Sequence, residues 1–139
     1  MTWLLDTVTI SELRKVQRTH PSVTAWYCSV PVSACWLSVI TITEIRLGML
    51  RVKRRDPVFS SRLEAWCQNA VIPTFGGRII PIDLEVASLT AEYRDLGLSG
   101  NDSLIAATAK VHGLTLATRN TGDFSGTGIL LVNPWEHPA

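Results

Sequence analysis

Apolar residues fall in short bursts separated by longer stretches of mixed polarity. The bursts are Trp3 to Leu5, "CWLSVITI" at 35–42, "RIIPI" at 78–82, "LTLAT" at 114–118 and "GILLVN" at 128–133. They are rich in β-branched residues and do not alternate with polar ones, which predicts strands buried on both faces. The intervening stretches predict helices at 9–15, 22–30, 43–56, 59–70, 84–97 and 99–112. Pro21 suits a first helical turn and Pro31 closes that helix. Leu63, Trp66, Cys67 and Ala70 recur at helical spacing, and Asp83 is placed to cap the helix that follows it. His112-Gly113 carries the glycine signal of a helix end. Pro81 puts the third strand at an edge or ends it. Strands that alternate with helices predict an α/β layer fold with a mainly parallel sheet.

The length, 139 residues, fits a single domain spanning 1–139. A net charge of +1 excludes a polybasic nucleic-acid binder, so any such binding has to come from a local patch. The densest basic segment is "RLGMLRVKRRD", where Arg46, Arg51 and Arg54 are candidate RNA contacts; a solvated helix face explains the segment equally well. Three cysteines without CxxC spacing read as reduced, mostly buried thiols. No stretch has the length of a signal-peptide core or a membrane span, so a cytoplasmic protein is expected.

Four acids fall where an open parallel sheet places its chemistry, beyond the carboxyl ends of the strands. Asp6 ends the first strand, Glu44 follows the second, Asp102 opens the helix before the fourth, and Asp123 follows the fourth together with Asn120. Each has a structural reading too. Asp6-Thr7 can end a strand, Thr41/Glu44 and Ser99/Asp102 both have capping-box spacing, and Asp123 suits a turn. Their coincidence at one edge favours function. Clustered carboxylates repel one another, and a divalent cation relieves this. Oxygen ligands suit Mg²⁺, with Mn²⁺ as a substitute, and the matching chemistry is metal-assisted phosphodiester hydrolysis. The three histidines share no spacing, Ser11 lacks a nucleophile-elbow context, and the glycines form no phosphate loop.

The segments "LLDT", "SVITITEIRLG", "NDSLIAATAKVHGLTLATRNTGDF" and "NPW" resemble the PIN-domain toxin ribonucleases of VapBC-type toxin–antitoxin pairs, in their FitB-like branch. The match is dense over the first fifteen residues, from Leu37 to Gly48 and from Arg78 to Trp135, and thin from Arg18 to Trp36. The resemblance implies a three-layer α/β/α sandwich, Mg²⁺-dependent cleavage of RNA, an inhibitory antitoxin and a toxin homodimer. It carries the catalytic acids over as Asp6, Glu44 and Asp102, all three as metal ligands, with Asp123 as the fourth acid and Thr7 and Asn120 as auxiliary polar groups. It also implies an apolar face for the partner near the first two helices, with Leu13, Val16, Trp26 and Leu50 as candidates. One departure is Val8, where the family usually carries Asn after its "LDT". That change keeps open an RNA- or protein-binding module with weakened catalysis, and a DNA-directed or structure-specific nuclease remains an alternative using the same acids.

Overall fold

The structure is a computed structural model that describes residues Met1–Ala139. Five strands, β1 (Trp3–Leu5), β2 (Cys35–Ser38), β3 (Ile79–Ile80), β4 (Thr115–Ala117) and β5 (Leu131–Val132), form one sheet in the order β3-β2-β1-β4-β5. Every neighbouring pair is parallel; Leu4 stands beside Trp36 on one side and Leu116 on the other. Pro81 lacks the amide that would extend the ladder, and β3 ends just before it at the sheet edge.

The helices are α1 (Thr7–Leu13), α2 (Pro21–Ser29), α3 (Val39–Val52), α4 (Pro57–Trp66), α5 (Ile72–Phe75), α6 (Leu84–Asp95) and α7 (Gly100–His112). Side chains alternate along a strand, so each central strand feeds two cores. Leu4 and Leu116 pack with Val86, Tyr93, Ile105 and Ala106 of α6 and α7. Leu5 and Ala117 pack with Ile10, Trp26, Ile45 and Phe75 on the opposite face. This is the expected α/β/α sandwich. No helix is long and apolar enough to cross a membrane.

Three details differ from the sequence reading. The run at 35–42 is not one strand: β2 stops at Ser38, whose Oγ accepts from the Ile40 amide and caps α3. Short β-branched runs satisfy either periodicity. The helix prevails because Thr41, Ile45 and Met49, four apart, all reach the interior. Thr41 is therefore no cap, and Glu44 lies in the second turn of α3. The helix predicted at 59–70 passes through a π-helical segment, Cys67–Val71, before α5. The wider turn buries Cys67, Val71 and Phe75 and leaves Ala70 exposed. All three cysteines are free, but Cys28 is exposed. Burial pushes the Cys35 thiol up to about 11.

The caps follow the sequence closely. Asp83 accepts from the Val86 amide and Asp56 from the Phe59 amide, each a bond of about 1 kcal/mol. Gly113 ends α7 at φ 65°, a left-handed conformation that glycine adopts without steric cost.

From β1 the chain builds outward through β2 and β3, then returns to the other side of β1 to build β4 and β5. The strand order reverses between β1 and β4. Their carboxyl ends, Leu5 and Ala117, flank the crevice where open parallel sheets bind ligands.

Candidate active site

Asp6 leaves the carboxyl end of β1 and caps α1: Oδ1 accepts from the Thr9 amide at 2.9 Å. Oδ2 accepts from the Thr118 hydroxyl at the end of β4. The Thr9 hydroxyl donates to the Ala117 carbonyl at 2.8 Å, so α1 is tied to β4 through two hydroxyls. The Asn120 amide donates to Thr118 Oγ1 at 3.1 Å and orients that hydroxyl toward the carboxylate. Asp6 is only 8% exposed. Burial raises its pKa above the ordinary carboxylate value, its hydrogen bonds to Thr118 and Thr9 oppose the rise, and the negative charge of Asp102 adds to it.

Asp102 occupies the first turn of α7 and is half-buried. Ser99, the N-cap, makes no side-chain bond to the helix, so the capping box expected with Asp102 does not form. The turn is held instead from α6. Arg94 Nε donates to Ser103 Oγ at 2.9 Å, Arg94 also donates to the Gly100 carbonyl at 3.2 Å, and Ser103 Oγ donates to the same carbonyl.

Glu44 is reached through Thr7. The Thr7 hydroxyl donates to Glu44 Oε1 and shares a 3.1 Å hydrogen bond with the Thr41 hydroxyl. Thr7 thus joins α1, next to the first acid, to the acid on α3. A cavity of about 440 Å³ opens here, lined by Thr7, Glu44, Arg14, Lys15, Arg119 and Trp135 among others. Val8 also lines it, 42% exposed. The turn at Asp6 is held by the Thr9 amide on Asp6 Oδ1 and by the Thr9 hydroxyl on the Ala117 carbonyl.

The other expected residues stand apart. Asp123 is exposed in a 3₁₀ turn, Thr121–Phe124, and is not among the charges that perturb Asp6. Asn120 is exposed and joins the network by its main chain alone. Arg46 lies two residues beyond Glu44, about 200° around the helix, where its charge is felt by the Cys67 thiol. Arg51 and Arg54 are exposed at the end of α3 and just past it. None of the three lines the cavity. Sequence reading missed Thr118, Thr9 and Thr41 as scaffold, and Arg14, Lys15 and Trp135 as cavity lining. Thr118 had a signal, because it is the first residue past a strand at the reversal of strand order.

No three His, Cys, Asp or Glu side chains converge into a ready-made ligand set. Mg²⁺, however, is held by one or two carboxylates plus water and substrate oxygens more often than by an all-protein cage. Asp6 and Asp102 supply two carboxylates whose charges already oppose each other. Each Asp6 oxygen accepts one protein hydrogen bond and keeps further lone pairs. Two carboxylates, Asp6 and Asp102, with free lone pairs are a donor set that fits a hard divalent cation.

The parallel sheet reverses its strand order beside the buried Asp6, which feels the charge of Asp102, and the PIN domain family model matches residues 3–129. The chain belongs to the PIN-domain family. It is 40% identical to Toxin FitB of Neisseria gonorrhoeae, with 96% of this chain and 98% of that protein covered. It is 37% identical to VapC ribonuclease Y4jK of Sinorhizobium fredii, covering 96% and 97%. The crystal structure of FitAcB from Neisseria gonorrhoeae superposes with a TM-score of 0.83 at 34% identity, covering 97% of this chain and 99% of that one.

Proposed function

We propose that this protein is a Mg²⁺-dependent endoribonuclease acting in the cytoplasm as the toxin of a toxin–antitoxin pair. The observation that carries the reading is the opposition of Asp6 and Asp102 at the reversal between β1 and β4, with Asp6 buried and clamped by hydrogen bonds from both sides. Similarity over nearly the full length to a toxin and to a VapC ribonuclease supports it. Bound Mg²⁺, or Mn²⁺, supplies charge neutralisation at the scissile phosphate and a water of lowered pKa. The chain's own residues do the rest. Asp6 and Asp102 hold the charge that the ion needs, Thr118 and Thr9 fix the orientation of Asp6, and Thr7 fixes Glu44 at the edge of the cavity.

The partner is an antitoxin. A groove of about 170 Å³ lined by Ile10, Leu13, Tyr27, Trp66, Val71 and Phe75 gives it an apolar seat beside α1 and α2. Of the candidates for this face, Leu13 lines the groove. Trp26 belongs to the core, edge-on to Trp3 at 6.2 Å between centroids. Val16 and Leu50 are exposed but do not line it. Leu47, Leu50 and Val58 leave apolar surface around the α3–α4 corner, which suits a second copy of the chain.

The test is cleavage of single-stranded RNA and of DNA of the same sequence, with Mg²⁺ and with EDTA. The expected result is RNA cleavage that needs the metal and is lost in Asp6→Asn and Asp102→Asn. Cleavage that survives EDTA or either substitution overturns the reading, and cleavage confined to DNA overturns the substrate.

A further inference from the structure

The cavity beside Glu44 holds three cationic side chains, and they are not equivalent. Lys15 is neutralised by Glu12 at 2.8 Å, the sole ion pair in the molecule. The guanidinium groups of Arg14 and Arg119 have no carboxylate partner. Each is nevertheless held in place. The Arg14 guanidinium lies 5.2 Å from the centroid of the Phe59 ring, and that of Arg119 lies 5.4 Å from the centroid of the Trp135 ring. Trp135 sits in a 3₁₀ turn, Pro134–Glu136, that packs on α2. A guanidinium on an aromatic face keeps its N–H groups free at the rim, aimed in the plane of the cation. Both therefore line the cavity as pre-oriented donors with no acceptor. On the acidic side, Glu12 is taken by Lys15 and Glu44 accepts from Thr7. With Lys15 and Glu12 paired, Arg14 and Arg119 stand against the single carboxylate of Glu44, which stays charged while it accepts from Thr7, so the balance of charge in the cavity is cationic.

We propose that Arg14 and Arg119 form a two-guanidinium clamp that binds backbone phosphates of the single-stranded RNA as it passes Glu44 into the site. The inference rests on the ribonuclease reading and adds to it the residues that grip the substrate. It also relocates the contact surface. The basic segment after Glu44 is richer in charge, but Arg46, Arg51 and Arg54 all lie outside the cavity. Arginine suits this role better than lysine, because its planar fork meets two phosphate oxygens at once. The clamp also explains how a polyanion approaches an acidic centre. The cations line the cavity beside Glu44, Arg14 just past α1 and Arg119 just past β4.

The experiment measures binding of a short 5′-fluorescein oligouridylate by anisotropy over a series of salt concentrations, with Mg²⁺ present and Asp102→Asn as the non-cleaving parent. Arg14→Gln/Arg119→Gln should bind more weakly, with the log–log salt slope shallower by about 1.4, since each phosphate neutralised on a single strand contributes about 0.7. Arg14→Lys/Arg119→Lys should keep the slope, which separates charge from packing on Phe59 and Trp135. Arg51→Gln/Arg54→Gln should match the parent. A slope unchanged in Arg14→Gln/Arg119→Gln overturns the clamp while leaving the ribonuclease reading intact. Displacement of the RNA by oligoglutamate of equal charge would assign the clamp to an acidic peptide and overturn it as well. If the folded parent binds no RNA and the wild type cleaves none, the ribonuclease reading itself falls.

Discussion

The Thr118 hydroxyl donates to Asp6 Oδ2 across 112 positions of sequence. It joins the end of β4 to the residue that both ends β1 and caps α1. The carboxylate is therefore oriented by two bonds from different parts of the chain, one from Thr118 and one from the Thr9 amide.

Replacing Thr118 by Val keeps the shape and removes the donor. A buried carboxylate oxygen left unsatisfied costs about 1–3 kcal/mol, and loss of the bond removes the main influence that opposes the raised Asp6 pKa. Urea unfolding should show the destabilisation, and the acid limb of the pH–rate profile should move to higher pH. Thr118→Ser should restore both. A Val variant with an unmoved acid limb would show that the hydroxyl has no hold on Asp6.

Asp6 has a folded-state pKa above its ordinary value, chiefly from burial. Its contribution to stability is therefore fully present at low pH, below the unfolded value, and is lost as pH rises through the folded one. Asp6→Asn should accordingly melt higher than wild type at neutral pH without metal, and the advantage should vanish below the unfolded carboxylate pKa. Added Mg²⁺ should raise the wild-type melting temperature and leave Asp6→Asn unmoved. Thermal scans across pH, with and without the ion, read both effects.

Arg94 reaches from α6 to the first turn of α7 and bonds Ser103 Oγ and the Gly100 carbonyl. It touches neither acid, so it is a positioning residue for Asp102. Arg94→Met should retain most of the packing, lower kcat several-fold and weaken the Mg²⁺-induced rise in melting temperature. A variant that loses activity but keeps the full Mg²⁺ response would mean that Asp102 does not depend on Arg94.

The general plan was legible because each α/β unit announces itself: apolar bursts without alternation, helix caps at Asp56 and Asp83, and glycine at 113. The positions of Asp6, at the end of β1, and of Asp102, in the first turn of α7, were legible because strand ends and helix starts show in the local pattern. The 35–42 run misled because Val, Ile and Thr serve a buried strand and a buried helix face alike, and only the fourfold spacing of Thr41, Ile45 and Met49 separates the two. The basic cluster after Glu44 drew attention by density along the chain. Density says nothing of azimuth, and two residues along a helix turn Arg46 away from Glu44. Arg14 is separated from Arg119 and Trp135 by most of the sequence, and no local pattern joins them.

Thiol chemistry gives a separate check on the fold. Cys28 is exposed, whereas Cys35 and Cys67 are buried and both have raised pKa values, Cys35 about 11. Cys35 Sγ also donates to the Pro31 carbonyl at 3.6 Å. At neutral pH, Ellman's reagent should react at once with Cys28 alone, and with the other two only as the chain unfolds. Rapid reaction of all three in the native protein would place Cys35 or Cys67 outside the core.

Thr9 finds its acceptor at Ala117 and Asp6 its donor at Thr118, both near the far end of the chain. A ribosome therefore delivers the first acid long before the groups that orient it. Until β4 has emerged and docked against β1, the nascent polypeptide has no oriented Asp6 and no Asp102 set against it. The arrangement that orients Asp6 therefore exists only once β4 has joined the sheet, more than a hundred residues after Asp6 itself has been made.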